Sequence, residues 1–328
     1  MADGGEGTVD TFVERGARRL SARVSGPRGH PVAAAFALQA DTAILEMSSA
    51  SGLQLLEPSQ RDPTRTTTFG TGELILAALD SGARRLIVGI GGSATNDAGT
   101  GMLRALGVRF LDGDGRAIAG DVLDYERLAS IDRRNLDERL QSTAIEVACD
   151  VDNPLCGPTG ATRTFAAQKG ATPEQIEHLE RVLSRVARVA AEAFGRDRSG
   201  VPGAGAAGGL GFAFDAFLGG RLERGVDIIA RACGLETLLA GAALCLTGEG
   251  KIDMQTLHGK TVDGVARLAA AHGVRTIAFG GKVDGDAAAV FTARGVECLP
   301  IAPAGTPPEE SISQAAEFLE RAAAGALR

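Results

Sequence analysis

Four lysines stand against thirty arginines in this 328-residue chain, and each of the four adjoins a glycine: Lys169-Gly170, Gly250-Lys251, Gly259-Lys260 and Gly281-Lys282. Glycine lets backbone approach a ligand closely, and an ammonium is a compact point charge suited to phosphate. Two further clusters carry chemistry. Gly89-Ile90-Gly91-Gly92-Ser93-Ala94-Thr95-Asn96-Asp97-Ala98-Gly99 brings bare backbone and hydroxyls to a helix start, an arrangement that makes an anion site of N–H groups and helix dipole. In Asp150-Val151-Asp152-Asn153-Pro154, alternation puts Asp150 and Asp152 on one face at a strand end, which suits a general base plus a Mg²⁺ contact. An ordinary Asx-type turn competes with that reading. In Thr247-Gly248-Glu249-Gly250-Lys251-Ile252-Asp253, followed by Gln255, Thr256 and Lys260, donors, acceptors and glycines are dense enough to favour a ligand site over a solvated helix start. Asp3-Gly4-Gly5-Glu6-Gly7-Thr8 is similar in kind.

Standard motifs fit less well. Gly259-Lys260-Thr261 ends like a P-loop, but the first glycine of that motif falls on Met254, so a Walker-type loop is rejected. Gly89, Gly91 and Ala94 satisfy G-x-G-x-x-A, with Asp112 after a strand-like 108–111, so a dinucleotide fingerprint stays open. A second match at Gly203, Gly205 and Gly208 has no strand before it.

The elements that must position these groups alternate. Short apolar runs at 242–247, 274–280 and 296–301, with helical periodicity at 262–272 and 285–294, give a β-α-β-α-β series and hence a parallel sheet. Residues 311–327 close the chain as an amphipathic helix. Helices are expected at 71–80 and 97–106, strands at 85–90 and 145–149, and antiparallel strands at 21–25, 32–38 and 42–46. Thr172-Pro173-Glu174-Gln175 predicts a capped helix start, and 196–209 a loop.

A net charge of −7 and a pI near 5.3 argue against nucleic-acid or anionic-membrane partners. No stretch approaches the roughly 20 apolar residues of a membrane helix. Five scattered cysteines without C-x-x-C fit reduced thiols, and the start Met1-Ala2-Asp3 has no signal-peptide pattern, so a cytoplasmic location is expected.

Eight stretches in order resemble the bacterial-type glycerate kinases of the glycerate 2-kinase (type I) group. They are 3–8 (DGGEGT), 46–53 (EMSSASGL), 67–74 (TTFGTGEL), 89–106 (GIGGSATNDAGTGMLRAL), 148–157 (ACDVDNPLCG), 168–171 (QKGA), 202–211 (PGAGAAGGLG) and 247–260 (TGEGKIDMQTLHGK). The resemblance implies ATP- and Mg²⁺-dependent phosphorylation of D-glycerate and favours the 2-hydroxyl, giving 2-phosphoglycerate, while the residues themselves leave the 3-hydroxyl and 3-phosphoglycerate open. It also implies two α/β domains: a discontinuous Rossmann-like domain with a parallel sheet (1–18 plus 236–328) and an inserted mixed-sheet domain (19–235). On this reading Asp150, Lys251 and Asp253 are catalytic, with Asp152 and Asp253 on Mg²⁺. Asp3, Glu6, Gly91, Gly92, Ser93, Asn96, Asp97, Gly248, Gly250, Gln255 and Lys260 hold substrate or phosphate, and the glycine-embedded lysines contact phosphate. A homo-oligomer is compatible with all of this.

Family members begin with a strand and a P-D-S-F-K-G-S-like motif that this sequence lacks, so the natural protein is expected to be longer. Two other classes stay open: an NAD(P)-linked oxidoreductase, and an inactive truncated remnant that binds small anions.

Overall fold

The computed structural model describes residues 5, 7–258, 260–303 and 305–326. Chain contacts divide it into two compact units that meet between Gly225 and Val226.

The larger unit is built on a six-stranded sheet. Helix α1 (Thr8–Glu14) leads into β1 (Arg18–Ser25), β2 (Pro31–Gln39) and β3 (Thr42–Glu46), an antiparallel meander as expected. The short α2 (Ser48–Ser51) and α3 (Phe69–Asp80) carry the chain to β4 (Arg85–Gly89), which lies parallel to β3. After α4 (Thr100–Ala105), strands β5 (Arg109–Asp112) and β6 (Leu128–Asp132) pair antiparallel in a separate small sheet. β7 (Ala144–Ala148) returns beside β4, and the strand order is β1-β2-β3-β4-β7-β8. Helices α5 (Ala161–Phe165), α6 (Pro173–Phe194) and α7 (Ala206–Leu218) precede β8 (Arg221–Glu223). The core gathers Leu45, Leu74, Ile75, Leu86, Val88, Val147, Leu183, Phe212 and Phe214, all essentially without solvent exposure.

In the smaller unit α8 (Gly225–Ala232) and α9 (Leu235–Leu239) precede three parallel strands, β9 (Leu244–Ile252), β10 (Arg275–Val283) and β11 (Val296–Pro300), with β10 central. The crossovers are α10 (Thr261–Ala271) and α11 (Gly285–Ala293), and α12 (Pro308–Ser313) and α13 (Ala315–Ala326) follow. Two apolar clusters serve this sheet: Ile252, Val262, Ala278 and Phe291 in one, Val226, Cys245, Val265 and Val274 in the other.

Several expectations shift. The 97–106 helix begins only at Thr100, because the Asp97 carboxylate accepts from the Gly99 and Gly101 N–H groups and holds the preceding turn open. The stretch expected to follow the strand at 242–247 lies inside it, since β9 pairs with β10 as far as Ile252. The closing helix is two helices, broken at Gln314. Contacts put the unit boundary at 225/226 rather than 235/236. They also place α1 with the larger unit, against β2 and β3, where the Val9 N–H donates to Glu46 Oε1 at 2.7 Å. The dinucleotide fingerprint loses its context: β5, which carries Asp112, would have to run parallel beside β4, and instead pairs antiparallel with β6 in another sheet.

The Thr172 cap forms as the sequence requires. Its hydroxyl accepts from the Gln175 N–H, and the Gln175 side chain returns to the Thr172 N–H. Thr172→Ala is expected to cost about 1 kcal/mol in chemical denaturation, the usual worth of an N-cap.

Candidate functional site

The C-terminal ends of β4 and β7 open into a cavity of about 640 Å³ within the larger unit. Residues singled out from sequence meet there: Gly91, Gly92 and Ser93 beyond β4, Asp150 beyond β7, and Lys169. The 91–93 turn is pinned from the side, because the Leu53 N–H donates to the Gly92 carbonyl and Gly52 bridges Ser93. Asp150 is exposed, and its Oδ1 accepts from the Gly225 N–H at 2.9 Å. Asp152, two residues on, is also exposed but does not line this cavity.

Lys169, one of the glycine-embedded lysines expected to contact phosphate but not given a role of its own, also lines this cavity. Lys169 is 2% exposed, and its Nζ donates to Ser93 Oγ and to the Thr95 carbonyl, both at 2.7 Å. Burial pulls its pKa down to about 7, opposed only by the negative charge of Asp97. The signal was present in the sequence: a lysine in a chain that otherwise uses arginine, set in Q-K-G-A. Gly170 explains its glycine neighbour. It adopts φ 96°, and a Cβ there would stand 2.3 Å from the Arg61 carbonyl oxygen, so the bare backbone brings Arg61 against the lysine's segment. Arg61 also lines the cavity, and its Nε is buried without a hydrogen-bond partner among the described residues.

Asn96 and Asp97 face inward instead. Asn96 is fully buried and donates from Nδ2 to Thr162 Oγ1 at 2.9 Å. Asp97 accepts from the Thr68 N–H and hydroxyl and from the N–H groups of Gly99 and Gly101. Burial raises its pKa while those four donors oppose the rise. Neither residue lines the cavity. The P-G-A-G-A-A-G-G stretch, the second glycine-motif match, braces the same turn. Ala207, Gly208 and Gly209 run left-handed, the Ala98 N–H donates to the Gly208 carbonyl, and a Cβ on Gly208 would lie 2.1 Å from the Thr95 oxygen.

The smaller unit has its own groove, about 1330 Å³, at the C-terminal ends of its parallel strands. Gly248, Gly250, Gly281 and Lys282 line it beside apolar Leu246, Phe279, Ile301 and Leu319. Register sets Lys251 beside Lys282, so Gly250-Lys251-Ile252-Asp253 and Gly281-Lys282-Val283-Asp284 repeat one pattern on adjacent strands. Lys251 Nζ lies 2.8 Å from Asp253 Oδ2, a hydrogen bond that raises the lysine's pKa and lowers the aspartate's. Asp253 Oδ1 accepts from the Gln255 N–H at 2.9 Å, and Lys260 stands at the N-cap of α10 without a side-chain cap bond. The expected ligands Asp3 and Glu6 lie outside the described residues. Among the described residues no group of three or more His, Cys, Asp or Glu is placed to hold a metal, and no helix is long and apolar enough to cross a membrane.

Glycine-rich turns and lysines at the C-terminal ends of parallel strands define an α/β protein suited to small anionic ligands. The model of the glycerate kinase family matches residues 1–328. A glycerate kinase of Bacillus subtilis is 48% identical over 98% of this chain and 85% of its own length. A glycerate 2-kinase of Escherichia coli is 47% identical over 88% of this chain and 77% of its own. The crystal structure assigned to glycerate kinase 2 of Salmonella typhimurium LT2 superposes with a TM-score of 0.84 at 44% identity, covering all of this chain and 89% of that one. The chain belongs to the glycerate kinase family.

Proposed function

We propose that the protein transfers the γ-phosphoryl group of ATP to a hydroxyl of D-glycerate, giving 2-phosphoglycerate. The observation that carries this reading beyond family membership is the larger unit's cavity. It sets the Asp150 carboxylate, the Lys169 ammonium and the Gly91–Ser93 turn around one space that readily admits a small hydroxy acid. Phosphoryl transfer asks the protein mainly for positioning and charge neutralisation, plus a group to accept the hydroxyl proton. Asp150 takes that proton. The smaller unit's groove takes the nucleotide: its apolar wall suits a base, and Lys282, with Lys251 and Lys260 nearby in the same unit, suits phosphates.

One or two protein carboxylates, rather than a closed cage, would hold Mg²⁺, which would supply charge neutralisation at the nucleotide's phosphates. Asp152 fits that task as an exposed carboxylate. Asp253 fits less well, because one of its oxygens is bonded to Lys251 and the other to the Gln255 N–H. The oxidoreductase alternative is disfavoured by the position of β5. A cytoplasmic location accords with five cysteines outside any disulfide and an acidic chain.

The test is ADP release from MgATP with D-glycerate as acceptor, with the product identified by ³¹P NMR. Saturable, glycerate-dependent release of ADP with 2-phosphoglycerate is expected. Absent release, together with quenched NADH fluorescence on titration, would sink the kinase reading in favour of the dehydrogenase.

A further inference from the structure

The geometry points to Lys169 and Arg61 as the pair that recognises the carboxylate of the hydroxy-acid substrate, in the cavity where Asp150 meets its hydroxyl. This rests on the reading above and assigns the acceptor's orientation within it.

Two cationic side chains line one cavity, and each has unspent donors. Lys169 Nζ uses two of its three N–H groups, on Ser93 Oγ and the Thr95 carbonyl. Arg61 Nε is buried with no acceptor among the described residues, a donor whose desolvation an incoming acceptor would offset. Leu53, Ile90, Val151 and Phe165 make much of the remaining wall apolar, with Gln168, Ser93 and Asp150 as further polar groups, so an anion entering it would interact strongly with both cations.

The occupant's charge can be argued from the same side chains. A triphosphate carries several negative charges and would have to lie beside Asp150, which lines the same cavity. A hydroxy acid carries one negative charge, matched to a buried ammonium, and its hydroxyl is what Asp150 can accept from. Carboxylate at the lysine and hydroxyl at the aspartate is therefore the orientation that leaves neither charge opposed. Among the described residues, Lys169 Nζ is bonded to a hydroxyl and a carbonyl rather than to a carboxylate, and Asp97 acts on it through its field.

The test is calorimetric titration of D-glycerate into the wild-type chain and into Lys169→Met, with steady-state KM values for D-glycerate and ATP alongside. Loss of a charge-assisted contact predicts a Kd for D-glycerate raised by about 30- to 100-fold, with the ATP KM within about threefold. A purely structural lysine would weaken both ligands together or lower the melting temperature without changing the glycerate Kd, and either result overturns the proposal. If Lys169→Met does not melt cooperatively, Arg61 decides. Arg61→Gln is expected to raise the glycerate Kd about tenfold, Arg61→Lys to recover part of it, and an unchanged Kd in Arg61→Gln overturns the pairing. A rise in the ATP KM instead would identify the occupant as a nucleotide phosphate. Because the calorimetry needs no turnover, a wild type that binds D-glycerate but releases no ADP would refute the kinase reading and leave the carboxylate site standing; a wild type that does not bind D-glycerate would overturn the site.

Discussion

Asp150→Asn is expected to lower kcat with ATP and D-glycerate by about 10³-fold, within the range a general base supplies, while the protein stays folded. The fold should survive because Asp150 is exposed and its bond from the Gly225 N–H, at 2.9 Å, is one that the Asn carbonyl oxygen can also accept. The amide keeps the shape of the carboxylate but not its basicity, so the substrate hydroxyl still has a neighbour and its proton has no acceptor. The KM for D-glycerate should therefore move little, by about threefold or less, because the carboxylate end is held elsewhere in the cavity. Steady-state kinetics, with circular dichroism as the control for folding, separate the outcomes. A variant within about tenfold of the wild-type kcat would remove Asp150 from the proton transfer. A large rise in KM at constant kcat would make it a binding residue only.

Asp97→Ala is expected to unfold more easily by about 3–5 kcal/mol in guanidinium titration, the scale of a buried charged network that loses one member. The side chain is 2% exposed and takes four hydrogen bonds, from the N–H and hydroxyl of Thr68 and the N–H groups of Gly99 and Gly101. Alanine leaves those donors buried without an acceptor, and each orphaned donor costs about 1–3 kcal/mol, partly relieved by relaxation. The damage should reach the site, since Ser93, Thr95 and Asp97 share one turn and Lys169 is bonded to its Ser93 and Thr95. Asp97→Asn keeps one acceptor oxygen and should lose about half as much. The sequence-based expectation makes Asp97 a ligand for glycerate or metal, and the two roles separate cleanly. A ligand role predicts that Asp97→Asn cuts turnover sharply with unchanged stability; the buried network predicts loss of stability first. An Asp97→Ala variant within about 1 kcal/mol of wild type would refute the structural role.

The sequence by itself determined what depends on neighbours along the chain. The Thr172-Pro173-Glu174-Gln175 cap, the alternating strands and helices after residue 242 and the antiparallel meander near the start all rest on local periodicity or local hydrogen bonds, and all appear in the structure. The eight ordered motifs likewise pointed to the family, because their order is a property of the chain alone. Even the choice of lysine over arginine marked a site residue, although nothing local distinguished Lys169, buried in a cavity, from Lys251, exposed and paired with Asp253. Only the tertiary structure decided that. It also decided which carboxylates are buried, since Asp97 takes two of its four hydrogen bonds from Thr68, a residue far back in the chain, while Asp150 next to a similar glycine-rich surround stays exposed. The same holds for Asp112, whose place after a strand suggested a dinucleotide site until β5 was found in a different sheet from β4. In each case the deciding quantity is desolvation and partnership supplied by segments distant in sequence. A one-dimensional pattern records which groups a chain carries, and the packing of the sheet and its turns fixes which of them remain unsatisfied and able to bind.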